Sequence, residues 1–282
     1  MSKRLQVVTG GAGFIGSHLV RSLVAQALPV RVVDDLSSGS AANVPSEVEF
    51  VKADVVDAAE EAVRGAEVVY HLAAQVSVPK SVEDPRGSHR ATAESLIAVL
   101  DAARKAGVKR VVYASSSAVY GDVPGLPRRE TQVPAPMSPY AIAKLVGEQY
   151  AAWYAEHGLE TVVLRFFNVY GPGQDPASPY AAAIPRFLRL VKANEIVTVF
   201  GDGSQTRDFT YVADVVRGIR EAGRRPGRGA RAGRARAWPG SSSCSRRPPY
   251  CASPPNRGSG RRYDPATGTP SSTVARRPSR SA

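Results

Sequence analysis

Three features of the sequence predict an α/β fold built on a doubly wound parallel sheet. Val-rich apolar runs alternate with helical stretches. A glycine-rich turn joins the first run to the first helix. The second run ends in two acids, Asp34 and Asp35.

The apolar runs are LQVVT (5–9), VRVVD (30–34), VEFVKAD (48–54), EVVYHLA (67–73), RVVYASS (110–116) and TVVLRFFN (161–168). They carry few interior charges, as strands covered on both faces should. Helical patterns fall at about 14–27, 57–64, 88–106 and 138–157. After residue 170 the pattern loosens. GPGQDPASP is a loop by its Gly and Pro content. Residues 181–193 read as a helix, IVTVF (196–200) as a strand and RDFTYV as a strand leading into a helix at VADVVRGI. The expected domains are therefore 1–175, carrying the sheet, 176–218, the start of a smaller substrate lobe, and a tail over 219–282.

That tail accounts for the charge. The 282-residue chain has a formal net charge of +12, but residues 219–282 hold 15 Arg, no Lys and two acids, Glu221 and Asp264. The body is close to neutral. The tail has no Leu, Phe or Met, too little apolar surface to offset chain entropy, so disorder is expected. Its abrupt onset also resembles a GC-rich gene translated in the wrong frame. The rival is an Arg-rich nucleic-acid-binding extension; sparse aromatics and the lack of a repeated motif weigh against it. Both cysteines, Cys244 and Cys251, lie in the tail, leaving a body without thiols, which fits a reducing cytoplasm. No apolar run reaches membrane-spanning length, and the N-terminus passes directly into a strand. The four histidines lack ligand-like spacing, so no metal is expected.

Gly10, Gly13 and Gly16 have the spacing G-x-x-G-x-x-G between strand and helix. Such glycines allow a tight turn, close approach of backbone to a pyrophosphate, and tight helix–strand packing. Asp34, eighteen residues past Gly16, can accept bonds from both ribose hydroxyls and would repel a 2′-phosphate, which favours NAD over NADP. Asp54 is placed either to contact adenine or to cap a helix. Further along, Tyr140 and Lys144 share a helix face at i, i+4. A cation there should lower the phenol pKa and yield a base near neutral pH. A hydroxyl ending a neighbouring strand can bridge substrate and phenol.

The stretches TGGAGFIGSH, VVDDLSSG, HLAAQVSVPKSVEDP, SSSAVYGD, SPYAIAKLVGE, LRFFNVYGPGQDP and GDGSQTRDFTYV together resemble the extended short-chain dehydrogenase/reductase superfamily, and within it the nucleotide-sugar 4-epimerases, from about residue 5 to 218. The variant GPGQDPASPYAAAIPRF is most similar to epimerases acting on UDP-GlcNAc/UDP-GalNAc, or on these and UDP-Glc/UDP-Gal. The resemblance implies a Rossmann-like fold, bound NAD, a UDP-sugar substrate, a homodimer and a cytoplasmic enzyme. It makes Tyr140 the base, Lys144 its activator and a ribose ligand, and Ser116 the hydroxyl partner, with Ser117 the alternative. It places Gly10, Gly13, Phe14, Ile15, Gly16, Asp34, Asp54, Val55, Leu72, Ala73 and Ala74 against the cofactor. Asn168 would touch the UDP moiety and Arg207 would clamp its pyrophosphate.

Two departures accompany it. Thr92 stands where many relatives carry Asn, and nothing past 218 resembles the ordered lobe that completes their sugar-nucleotide pocket. Dehydratase relatives carry Asp-Glu beside the hydroxyl partner, whereas this chain has Ser117 and Ala118. The expected reaction is thus reversible oxidation at sugar C4, with a sugar-nucleotide dehydratase or decarboxylase as one alternative. A non-catalytic NAD-binding remnant lacking its lobe is another.

Overall fold

A computed structural model describes residues 5–175, 183–199, 201–224 and the backbone of 261–263. Of these, residues 5–173 and 209–224 form one compact unit, and 174–208 with 261–263 belong to a second.

The first unit opens with strand β1 (Leu5–Thr9), helix α1 (Phe14–Val24), β2 (Val30–Asp34), β3 (Glu49–Lys52), α2 (Val55–Val63) and β4 (Ala66–His71). Two short helices follow, α3 (Val78–Glu83) and α4 (Pro85–His89), capped by Ser77 and Asp84. A π-turn over Arg90–Glu94 runs into α5 (Ser95–Lys105). Then come β5 (Arg110–Ser116), a 3-10 turn over Ser117–Tyr120, α6 (Pro139–Glu156), β6 (Glu160–Phe166) and β7 (Asn168–Tyr170). The second unit contributes α7 (Ala183–Lys192) and β8 (Val197–Val199). The chain then returns to the first unit with β9 (Phe209–Tyr211), parallel to β7, and α8 (Val212–Arg224). In the second unit β10 (Arg261–Tyr263) pairs antiparallel with β8.

The main sheet has the order β3-β2-β1-β4-β5-β6, every pair parallel. This is the doubly wound arrangement of the Rossmann fold, with the order reversing beside β1. Val alternation along the strands serves both faces. Val7, Val33, Val69, Val111 and Tyr113 meet α2, α5 and α6 on one side. Val8, Val32, Tyr70, Val112 and Leu164 meet α1 and α8 on the other.

The expected boundaries need correction. The sequence pattern places residues 209–218 in the second lobe and 219–224 in the tail. In the structure both stretches belong to the sheet unit, because Val212, Val215, Val216 and Ile219 form one buried face of α8. Of the arginines in 217–224, Arg217 and Arg224 lie on that helix's outer side, while the half-buried Arg220 donates from Nη1 to Ser22 Oγ of α1 at 3.0 Å. The C-terminal carbonyls of α8 are capped by the fully buried Arg110, whose Nη1 donates to Ala222 O at 3.0 Å and Gly223 O at 3.1 Å, a favourable place for a cation. Gly223 itself lies so close to Tyr70 that a Cβ would sit 2.2 Å from the phenol oxygen. Beyond Arg224, the expectations for the tail fall outside the described residues except at 261–263. Among the described residues no helix is long and apolar enough to cross a membrane.

A buried polar chain ties β1, β4 and α5 together. Ala73 N–H donates to Thr9 Oγ1 at 3.3 Å, and Thr9 Oγ1 is 2.9 Å from His71 Nδ1. His71 Nε2 lies 3.4 Å from Ser95 Oγ, whose proton goes to Ala91 O at 2.9 Å. This assigns the neutral Nε2–H form. Burial, and secondarily the charge of Lys144, push the His71 pKa down to about 3. The unfolded chain therefore binds the extra proton near pH 6.5 and the folded one near pH 3. Stability from this site is complete above pH 6.5 and lost progressively toward pH 3, by roughly 5 kcal/mol in all. Denaturant unfolding across that range should show an acid-side slope that His71→Asn reduces; identical slopes in the two proteins would exclude His71 as the cause.

Candidate active site

Both halves of the site sit at the C-terminal edge of the parallel sheet. The first is the turn from β1 into α1. Gly10 has φ +70°, and a Cβ there would lie 2.7 Å from Ala73 N. At Gly16 a Cβ would lie 2.0 Å from Gly10 O, and at Gly11 2.7 Å from a Val32 methyl. Packing alone thus requires these three glycines. Gly13 is different. A Cβ there meets nothing closer than Gly10 O at 3.4 Å, and Gly13 is an N-cap with no side-chain cap for α1. The absence of a side chain leaves the positive end of the helix and its N–H donors approachable, as a phosphate group needs.

Asp34 closes the other side of this cradle. Its Oδ2 accepts from Ala12 N–H and its Oδ1 from Leu36 N–H, both at 2.9 Å. Burial raises its pKa, and those two bonds oppose the rise. Each carboxylate oxygen keeps a second lone pair for a ribose hydroxyl. The loop after β2 folds back over the glycine turn. Ser40 N–H and Asn43 Nδ2 both donate to Ala12 O, at 3.2 and 2.9 Å. The residues present therefore fit a dinucleotide. Phe14, Ile15, Leu72, Ala73 and Ala74 are partly exposed around the turn, while Val55 is buried in the core at the start of α2. Asp54 is the N-cap of α2, with Oδ1 accepting from Val56 N–H at 2.8 Å and Oδ2 3.3 Å from Arg90 Nη2. The capping alternative is thus realised in the structure.

The second half is α6 against β5. Ser138 caps α6 by accepting from Ala141 N–H. Tyr140, at the start of that helix, is 8% exposed, and its phenol lies within the influence of the Ser116 hydroxyl. Ser116 Oγ also accepts from Ala118 N–H at 3.1 Å, which fixes it at the head of the 3-10 turn. Lys144 is 2% exposed, and its Nζ donates to Ala114 O at 2.7 Å. The ammonium lies 4.9 Å from the Tyr113 ring centroid and 5.9 Å from that of Tyr140.

The electrostatics differ from the sequence expectation. Burial raises the Tyr140 pKa, and the Ser116 hydroxyl opposes the rise. Lys144 does not lower it in this structure, because burial drives its own pKa down to about 7 against a smaller upward pull from Glu148. Thr92 is fully buried in the π-turn, and its hydroxyl has no hydrogen-bond partner. Asn168 is exposed on β7. Arg207, in the second unit, is exposed and donates to Thr206 O at 2.8 Å. Sequence reasoning passed over Glu148, one further turn along α6, although the four-residue step from Lys144 was a usable signal.

The profile of the NAD dependent epimerase/dehydratase family matches residues 6–234. The chain is 43% identical over 235 residues to UDP-glucose 4-epimerase of Mycolicibacterium smegmatis, covering 80% of this chain and 75% of that protein. The structure is similar to UDP-N-acetylglucosamine 4-epimerase from Methanobrevibacter ruminantium in complex with UDP-N-acetylmuramic acid (TM-score 0.76, 39% identity, 79% of this chain and 74% of that one). It is also similar to UDP-glucose 4-epimerase of Thermus thermophilus in complex with NAD (TM-score 0.73, 39% identity, 79% and 75%).

The contrast among the glycines is testable. Gly13→Ala should cost about 1 kcal/mol or less of folding stability, yet weaken NAD binding at least about tenfold. Thermal melts and calorimetric titration with NAD would separate the two effects. Wild-type NAD affinity in Gly13→Ala would contradict the assignment of that opening to the cofactor.

Proposed function

The chain belongs to the NAD dependent epimerase/dehydratase family, and on that premise we propose that it inverts C4 of a UDP-linked hexose or N-acetylhexosamine by transient oxidation there. The observation that carries this reading is the buried Tyr140 beside the Ser116 hydroxyl, with the buried Lys144 one turn away, at the same sheet edge as the dinucleotide cradle. NAD, when bound, supplies the hydride acceptor and donor at the sugar carbon.

The protein's own residues handle the proton. Tyr140 Oη takes it from the 4-hydroxyl and returns it after the keto sugar has turned over. Ser116 eases ionisation of a phenol that burial otherwise keeps protonated. Lys144 has three donors, one directed to Ala114 O; the others suit the nicotinamide ribose hydroxyls. Asn168 and Arg207 are assigned to the UDP moiety, the guanidinium to its pyrophosphate. A homodimer is part of the same reading. Eliminating water requires a further acid and base beside Ser116, and Ser117 and Ala118 supply neither. This favours epimerisation over the dehydratase chemistry of the family.

Incubation with UDP-GlcNAc and with UDP-glucose, followed by separation of the sugars, tests the reading. Tyr140→Phe should lower turnover by about 10²–10⁴-fold and leave NAD bound. Lys144→Met should weaken NAD binding as well. Equal turnover in wild type and Tyr140→Phe would refute the assigned base.

A further inference from the structure

Helix α6 presents Tyr140, Lys144 and Glu148 on one face, toward three consecutive β5 residues. Tyr140 faces the Ser116 hydroxyl, Lys144 donates to Ala114 O, and Glu148 Oε1 accepts from the Ser115 hydroxyl. The third member has no part in the proposed chemistry. Glu148 is 7% exposed and forms a bidentate pair with Arg165 of β6, Nε to Oε1 at 2.9 Å and Nη2 to Oε2 at 2.6 Å. The Arg165 guanidinium in turn lies 4.7 Å from the ring centroid of Tyr120, the last residue of the turn that Ser116 heads.

We propose that the buried Glu148–Arg165 pair is a positioning device, which fixes both ends of the Ser115–Tyr120 segment so that the Ser116 hydroxyl stays on the Tyr140 phenol. This rests on the reading of Tyr140 as the proton-transfer group. Stability alone is a poor account of the pair. Desolvating two charges is costly, and apolar residues of similar size often serve a core as well. Here Arg165 Nη1 is also buried without a hydrogen-bond partner. What the pair supplies and apolar side chains cannot is direction. One carboxylate oxygen ties β5, the guanidinium ties β6 and the Tyr120 ring, and all three converge beside Ser116. Glu148 is also the negative charge that supports protonation of Lys144.

The experiment replaces the pair as a whole, Glu148→Leu with Arg165→Met, so that no lone charge is left buried. Ser115→Ala is the second variant; it cuts only the tie to β5 and is too small a change to threaten folding. Two readouts are taken on the full chain. The first is the Tyr140 Cζ resonance in protein carrying ¹³C-tyrosine, assigned with Tyr140→Phe and calibrated with Ser116→Ala. The second is steady-state epimerisation of UDP-GlcNAc. The double variant should move the Tyr140 resonance toward its position in Ser116→Ala and lower kcat roughly 10- to 100-fold, with KM within about twofold of wild type. Ser115→Ala should shift both in the same direction by less, roughly threefold in kcat. Wild-type resonance and kcat in the double variant, or in Ser115→Ala should the double variant not fold, would overturn the proposal. Absence of epimerisation by the wild type would instead refute the functional reading, and the resonance would still decide whether the pair positions Ser116.

Discussion

The close approach of α6 to β5 is the constraint on which the site depends. A Cβ at Gly147 would lie 2.6 Å from the Tyr113 hydroxyl and 2.9 Å from a Leu96 methyl, so the helix can sit this near the sheet only with glycine there. At that distance a phenol, an ammonium and a carboxylate four residues apart each reach a neighbouring β5 residue. A wider gap would admit water and leave Lys144 solvated, with its pKa in the ordinary range. The buried, easily deprotonated Lys144 and the reluctant Tyr140 are thus consequences of one packing distance.

The glycine turn shows the same logic with a different outcome. Gly10, Gly11 and Gly16 are required by contacts inside the protein, whereas Gly13 is open toward solvent at the head of α1. Asp34 serves both the protein and the ligand reading. It holds the turn through Ala12 and its own loop through Leu36, yet retains acceptor capacity at the sheet edge. The polar chain from Ala73 through Thr9 and His71 to Ser95 links this turn to the start of α5, so the two halves of the site share one buried support.

Much of this was legible in the sequence because the physics is local. LQVVT, VRVVD and RVVYASS coincide with β1, β2 and β5, since strands covered on both faces have no alternative to continuous apolar runs. The glycine spacing and the Tyr140–Lys144 step survive for the same reason. What was not legible depends on distant partners. Pro79, Pro85 and Gly87 conceal α3 and α4, which exist because Ser77 and Asp84 cap them. The π-turn at 90–94 has no periodicity of its own. The arginines of α8 resemble the tail that follows, and only packing against Tyr70 and Val112 shows which face is inward. The Tyr140 pKa moves up, against the expectation from its neighbour, because charge proximity can be read from spacing and burial cannot.

The central claim is inversion at C4 with proton transfer by Tyr140, and isotopic labelling tests it most directly. UDP-GlcNAc carrying deuterium at C4 should be converted to its C4 epimer with the deuterium still at C4 and with no incorporation from solvent at that carbon. Loss of the C4 label to solvent, or a product that has shed water or carbon dioxide, would contradict the account.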